Sequence, residues 1–525
     1  MAERLVLSAV TRDQLTRWFD DKNIISPSIN YAVFDRTGVI FHHGIGEFQR
    51  DGRAPELDTI YRICSMSKSF CIAGILVLRD RGQLSLDDPV SKYIPEFQNY
   101  RDPQGNELPV SVRMLMSNSS GLPEDNAWAD YHLGMTRGEL LETLRTGLNF
   151  SDYPDAEFQY SNIGFAMLGT IVENVSGKTF ESFAAETLLG PLALAGTRYD
   201  AADYPDNGEG GAGIAYGFES FDKGETWFNR PFVETGAFGC AGSMYSTLPD
   251  IARWSAWLSS GFAPGNSDDA ILSRASRRLM QRIFTPNHLV DRAIRPELDN
   301  VGYGLGLVVE HDNRFGAFAQ HSGGLPGFST NMRWHCSSGV GVAIFANTNG
   351  LSPAVWAAEI LRVVLTELDV PAKFVPLWPA TVAAAQAVEA VVCGSGDFTE
   401  IEAFYNPNLL SDVPADVRGS RLADAINEVG GLAPIRDIRP LTDRLAWAVS
   451  AAQLCWTIPG NRGDLQCAME LTEIEPSTIQ RLDIIVSKDP AGQPSLVTRH
   501  YFAVAPLSLV SRPWIPSICR IMSMR

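Results

Sequence analysis

The tetrapeptide Ser65-Met66-Ser67-Lys68 has the residue types and spacing of an activated nucleophile. It follows an extended stretch, Thr59–Cys64, and opens an apolar run, Phe70–Leu78, that reads as a helix. Residues three apart share a helix face, so the Lys68 amine can lie beside the Ser65 hydroxyl at the helix N-terminus. A serine hydroxyl is a poor nucleophile near neutral pH. An amine kept free of its proton, by burial or by another cation, can take the proton that the attacking serine must lose. Taken alone, the same four residues also fit a serine cap followed by a solvated lysine.

Two further polar elements follow in order. Tyr160-Ser161-Asn162 comes after the polar loop Asp152–Asp155 and before the apolar stretch Ile163–Gly169, at a loop-to-helix junction. His321-Ser322-Gly323-Gly324 falls between two strand-like runs, Tyr303–Val309 and Gly341–Ala346, and is expected on a sheet edge. With these three elements in this order, the chain resembles the penicillin-recognising serine hydrolases, which include class C β-lactamases, D-alanyl-D-alanine peptidases, D-aminopeptidases and related esterases. Gly82–Val90, Leu115–Pro123 and Gly242–Thr247 look like connecting signatures of the same family, and the resemblance covers about residues 10 to 368.

The resemblance implies roles. Ser65 attacks a carbonyl and carries the acyl group, while the backbone N–H groups of Ser65 and Gly324 face the oxyanion. Tyr160 is expected close to Ser65 and Lys68, where a cation favours its phenolate and lets it shuttle protons as one unit with Lys68. Asn162 would orient Lys68 and donate to a substrate carbonyl. His321 would close the far side of the cleft against Tyr160 or the substrate, and the Gly323 strand would pair with an extended peptide. Glu124, Asp125 and Trp128, with Tyr131, form an acidic and aromatic loop expected to receive a substrate ammonium.

One departure bears on substrate. β-lactamases begin the third motif with lysine, a permanent cation suited to a carboxylate, whereas His321 is only partly charged near neutrality. This moves the resemblance toward the D-aminopeptidases, amidases and esterases, as do Ile63–Phe70 and Met332–Cys336.

The whole chain sets wider bounds. Its 525 residues, 45% of them hydrophobic, can bury a large core and form more than one domain. A formal net charge of -18 with no basic block argues against nucleic acid and anionic membranes as partners. The N-terminal residues lack an apolar signal core and no apolar run spans a bilayer, so a soluble cytoplasmic protein is expected. Eight scattered cysteines without a C-x-x-C pair read as reduced thiols, Cys64 as a packed one, and no metal site or cofactor is expected. There is no G-x-S-x-G, so the α/β-hydrolase elbow is not available.

The expected fold class is α+β. Residues 28 to 63 suggest a hairpin opening an antiparallel sheet, a helical region runs to about 200, and residues 200 to 235 read as long loops. By resemblance, this is a β-lactamase/transpeptidase-like domain over residues 1–370, with a sheet of five to eight strands and the nucleophile helix between the lobes. Three prolines in residues 371–379 mark a linker. Residues 380–490 begin with helical patterns and continue with strands at Ile435–Ile438, Leu445–Val449, Leu454–Ile458 and Ile479–Val486, resembling a small cystatin- or NTF2-like α+β domain suited to homodimerisation or to gating. Residues 491–525 form a tail. The expected function is a serine peptidase or amidase of short peptides, including D-residue-containing or linearised cyclic ones. A carboxylesterase or acyltransferase of the same family comes second, a β-lactamase third, and a ligand-binding sensor is the non-enzymatic alternative.

Overall fold

Alternating buried strands and one helix without a solvent face organise the molecule. The structure, a computed structural model, describes residues 4–487 except 23, 205–212, 264, 266–267, 288–294, 296, 371–376 and 435–439. The chain separates into two compact units, Met1–Lys373 and Phe374–Arg525.

The first unit is built on one antiparallel sheet of eight strands. These are β1 (Ser28–Asp35), β2 (Gly38–Gly46), β3 (Thr285–Pro286), β4 (Leu298–Tyr303), β5 (Val308–Asp312), β6 (Gly316–Leu325), β7 (Phe328–His335) and β8 (Gly341–Ala346), in spatial order β2-β1-β8-β7-β6-β5-β4-β3. The expected strand Tyr303–Val309 is in fact a turn. β4 ends at Tyr303 and β5 begins at Val308, because Gly306 takes a left-handed φ of 69° and reverses the chain between them.

Both faces of the sheet are covered, so β8 is an unbroken apolar run whose side chains alternate between two cores. Ala343 and Phe345 pack with helices α2 (Ser67–Asp80), α4 (Asn162–Ser176) and α6 (Leu248–Ser259). Val342, Ile344 and Ala346 pack with α1 (Ala9–Thr16) and α7 (Pro353–Glu367). Two shorter helices, α3 (Asn126–Ala129) and α5 (Gly239–Gly242), flank the same region as α4.

Every residue of α2 from Ser67 to Leu78 is buried. A helix that is apolar all round belongs inside the protein, and here the position of Lys68 in the sequence commits a cation to the core. Two serines tie this helix to its neighbours: Ser69 Oγ accepts from Trp254 Nε1 at 3.0 Å, and Ser67 Oγ accepts from the Met244 N–H at 3.2 Å. Phe70 stacks on Trp254 with ring centroids 3.8 Å apart.

The second unit has helices α8 (Pro379–Cys393) and α9 (Ala415–Glu428), followed by the antiparallel sheet β9 (Leu445–Ser450), β10 (Gln453–Pro459), β11 (Asp464–Leu471) and β12 (Ile479–Ser487), each pairing with the next. Strand β11 is additional to the expected set, whereas the expected strand at Ile435–Ile438 and the tail lie outside the described residues. A core of Val388, Val392, Trp456, Ile458, Leu465 and Cys467 joins its helices to its sheet.

Candidate active site

Ser65 sits in a turn of 3₁₀ helix, Cys64–Met66, between the two-residue strand Tyr61–Arg62 and α2. The turn needs Cys64 at φ 54°, a left-handed conformation that costs a non-glycine residue about 1–2 kcal/mol. Burial pushes the Cys64 thiol up to about 12, so it remains a packed thiol.

Lys68 shows no exposed surface, and its ammonium donates three hydrogen bonds: to Ser65 Oγ at 3.1 Å, to Asn162 Oδ1 at 2.6 Å and to the Ala241 carbonyl at 2.9 Å. All three acceptors are neutral oxygens. The structure therefore brings Ser65, Lys68 and Asn162 together from the 3₁₀ turn, α2 and α4, and adds a backbone carbonyl of α5 that no sequence motif announces.

Tyr160 meets Lys68 differently from the expectation. Nζ stands over its ring, 4.8 Å from the centroid, and among the described residues the hydroxyl makes no hydrogen bond to Ser65 or Lys68. Asn162 orients Lys68 as expected but differs in its second role. Its Nδ2 donates to Asp125 Oδ1 at 3.0 Å and to Asn126 Oδ1 at 2.8 Å, so both amide hydrogens are committed and neither is free for a substrate carbonyl.

His321 is buried. It is 3% exposed, and burial together with the nearby Lys68 cation lowers its pKa to about 3, so it is neutral, not partly charged, near pH 7. Its tautomer follows from its partners: Nδ1 donates to the Ser322 carbonyl at 2.6 Å, which leaves Nε2 to accept from the Tyr303 hydroxyl at 3.1 Å. Burial pushes the Tyr303 phenol well up and keeps it a donor. Tyr303 and His321 each place their rings 6.2 Å from that of Tyr160, so His321 meets Tyr160 as expected, with Tyr303 packed beside both.

Gly323 is buried. A Cβ there would collide with the Ile63 carbonyl and Thr330 Oγ1, so only glycine lets β6 pass directly against the residues before the nucleophile. Gly324 is exposed and would meet nothing within 4 Å. β6 lies inside the sheet order, not at its edge, yet its last part is open on one side. β5 pairs with it only as far as Gln320, and among the described residues His321–Leu325 pair with β7 alone.

The acidic loop divides. Glu124 is exposed and Trp128 is 39% exposed, stacked on His132 at 4.3 Å. Asp125 turns inward onto α4, accepting from the Asn162 N–H at 2.7 Å and, through Oδ2, from the Ile163 N–H at 2.8 Å. Asp130, a residue the sequence did not single out, is half-buried near Lys68 and Arg62. Burial raises its pKa to about 6, the two cations oppose the rise, and Asp125 and Glu124 add to it.

A family model described as Beta-lactamase matches residues 16–365. Penicillin-binding protein 4* of Bacillus subtilis (strain 168) is 26% identical over 308 residues, 56% of this chain and 62% of that protein. The D-alanyl-D-alanine-carboxypeptidase/endopeptidase AmpH of Escherichia coli (strain K12) is 26% identical over 321 residues, 60% of this chain and 78% of that one. The chain thus spans about three fifths of the length of the Bacillus relative. Among solved structures, the octameric penicillin-binding protein homologue from Pyrococcus abyssi aligns over 92% of this chain and 99% of its own, with TM-score 0.57 and 18% identity. A D-stereospecific amidohydrolase from Streptomyces sp. aligns over 68% and 98%, with TM-score 0.51 and 22% identity. Because the family match takes in the sheet from β1 to β8, the turn that carries the serine and the two helices that carry the lysine and the amide facing it, the chain belongs to the β-lactamase family.

Proposed function

We propose that this protein is a serine hydrolase that cleaves amide bonds of short peptides through an acyl-enzyme on Ser65. The observation that carries the reading is the 3.1 Å contact between Ser65 Oγ and the buried Lys68 amine. Ser65 Oγ attacks the substrate carbonyl and its proton passes to Lys68 and Tyr160, which act as one proton-accepting unit. The oxyanion forms against the N–H groups of Ser65 and Gly324. The proton then goes to the leaving nitrogen as the C–N bond breaks, and water resolves the ester on Ser65 by the same steps in reverse.

The open side of His321–Leu325 supports an extended peptide as substrate, since an unpaired strand edge offers backbone donors and acceptors in register. Glu124 and Trp128 are the exposed loop groups that would meet a substrate ammonium, and Gly323 holds the strand in place. Neutral His321 supplies no cation for a substrate carboxylate, which disfavours β-lactams and C-terminal carboxylates. It leaves a carboxylesterase or acyltransferase as the second reading, because an ester forms the same acyl-enzyme. The free state of the seven cysteines among the described residues supports placing the protein in the cytoplasm.

The test is hydrolysis of matched L- and D-aminoacyl p-nitroanilides, short peptides, p-nitrophenyl butyrate and a chromogenic cephalosporin by wild type and Ser65→Ala. Amide cleavage that disappears in Ser65→Ala is the expected result, turnover of the ester alone moves the assignment to esterase, and full activity in Ser65→Ala defeats the mechanism.

A further inference from the structure

We infer that Asp125 is a positioning residue for the nucleophile, acting through Asn162 and Lys68, and not a subsite for a substrate ammonium. The inference rests on the hydrolase reading above.

A primary amide presents one oxygen and two hydrogens, and which end faces Lys68 decides whether it holds the ammonium or repels it. Asp125 Oδ1 and Asn126 Oδ1 take the two hydrogens of Asn162, leaving the oxygen for Lys68 at 2.6 Å. Asp125 is itself fixed, because its two oxygens accept the first two backbone N–H groups of α4, at 2.7 and 2.8 Å. Those groups have no partner inside the helix, and the positive end of α4 favours a carboxylate there. One side chain from the loop before α3 therefore caps the helix and orients the amide that the helix carries.

The consequence reaches Ser65. With two of its three hydrogens held by Asn162 Oδ1 and the Ala241 carbonyl, the Lys68 ammonium has one direction left, and that direction is Ser65 Oγ. Removing the Asp125 charge frees the Asn162 amide to turn, and the amine then leaves its line to the serine. An ammonium subsite would need these carboxylate oxygens to face the cleft, and they face α4.

The test is the rate of covalent labelling of the full-length chain by a fluorophosphonate probe, which carries no ammonium. Labelling of Asp125→Asn is expected to slow by about tenfold or more, and Asn126→Ala to slow less but in the same direction. In parallel, Asp125→Asn should lower kcat for D-alanine p-nitroanilide and for p-nitrophenyl butyrate alike, with KM unchanged. Labelling of Asp125→Asn at the wild-type rate overturns the inference, as does a rise in KM confined to the anilide. If thermal unfolding shows Asp125→Asn unfolded, Asn126→Ala decides, and a wild-type rate in that folded variant overturns it. Absence of Ser65-dependent labelling in the wild type would instead remove the hydrolase reading itself.

Discussion

At the residue scale, burial sets the charge of the groups around Ser65. Asp130 binds its proton more tightly folded, at about 6, than unfolded, at about 4. Its contribution to stability is therefore complete at low pH and is lost as pH rises through that window. His321, lowered to about 3, has the opposite slope, since its contribution is lost as pH falls below about 6.5. Comparing wild type with Asp130→Asn cancels the histidine. The variant should unfold at a higher temperature than wild type at about pH 8 and show a smaller gain at about pH 5. A gap that does not widen with pH would show that Asp130 is not held as a strained anion. Ser65, Lys68 and Asn162 were legible in the sequence because motif spacing is local. The further partners of Asn162 and His321 were not. Asp125 and Asn162 are 37 residues apart, Tyr303 and His321 are 18 apart, and only folding puts each pair in contact.

At the element scale, adjacent glycines separate fold from function. Gly323→Ala drives a methyl group into the Ile63 carbonyl and Thr330, so β6 must lift from the turn that carries Ser65. We expect a loss of about 1–3 kcal/mol in stability and of about a hundredfold or more in kcat/KM. Gly324→Ala meets open space, so denaturant unfolding should match wild type while KM rises. Equal effects at the two positions would contradict this division. The hairpin β1–β2 and helices α2 and α4 were readable from apolar periodicity and turn residues. β11 was as periodic as any strand, with Leu465, Cys467, Met469 and Leu471 all facing the core. It escaped because the segment holds no β-branched or aromatic residue and includes alanine, aspartate and glutamate, which strands disfavour, and here packing outweighed composition. The turn after Tyr303 was hidden for the converse reason, since Gly306 lies among apolar residues that suggest a continuous strand.

At the scale of the whole molecule, every residue assigned to the chemistry lies in the first compact unit. Residues 1–373 produced alone should unfold cooperatively and still label at Ser65, while light scattering should show the full chain self-associating and the shortened one monomeric. Loss of labelling on shortening would assign the second unit a part in the site, and an unchanged assembly state would remove its proposed role in association. The second unit was foreseeable as helices followed by an antiparallel meander. Its purpose was not, because no motif in it carries chemistry. The overhang of β6 beyond β5 has a further consequence. Five residues of strand span about 16 Å, and alternate residues point their peptide groups outward, so about three substrate residues can be held. A chain must arrive with its own peptide groups unpaired to use that edge. If the proposed peptide substrate binds there, segments already hydrogen-bonded inside a folded protein have none to offer, so the edge would discriminate by conformational freedom as much as by side chain, and intact proteins would be spared while their degraded remnants would be taken.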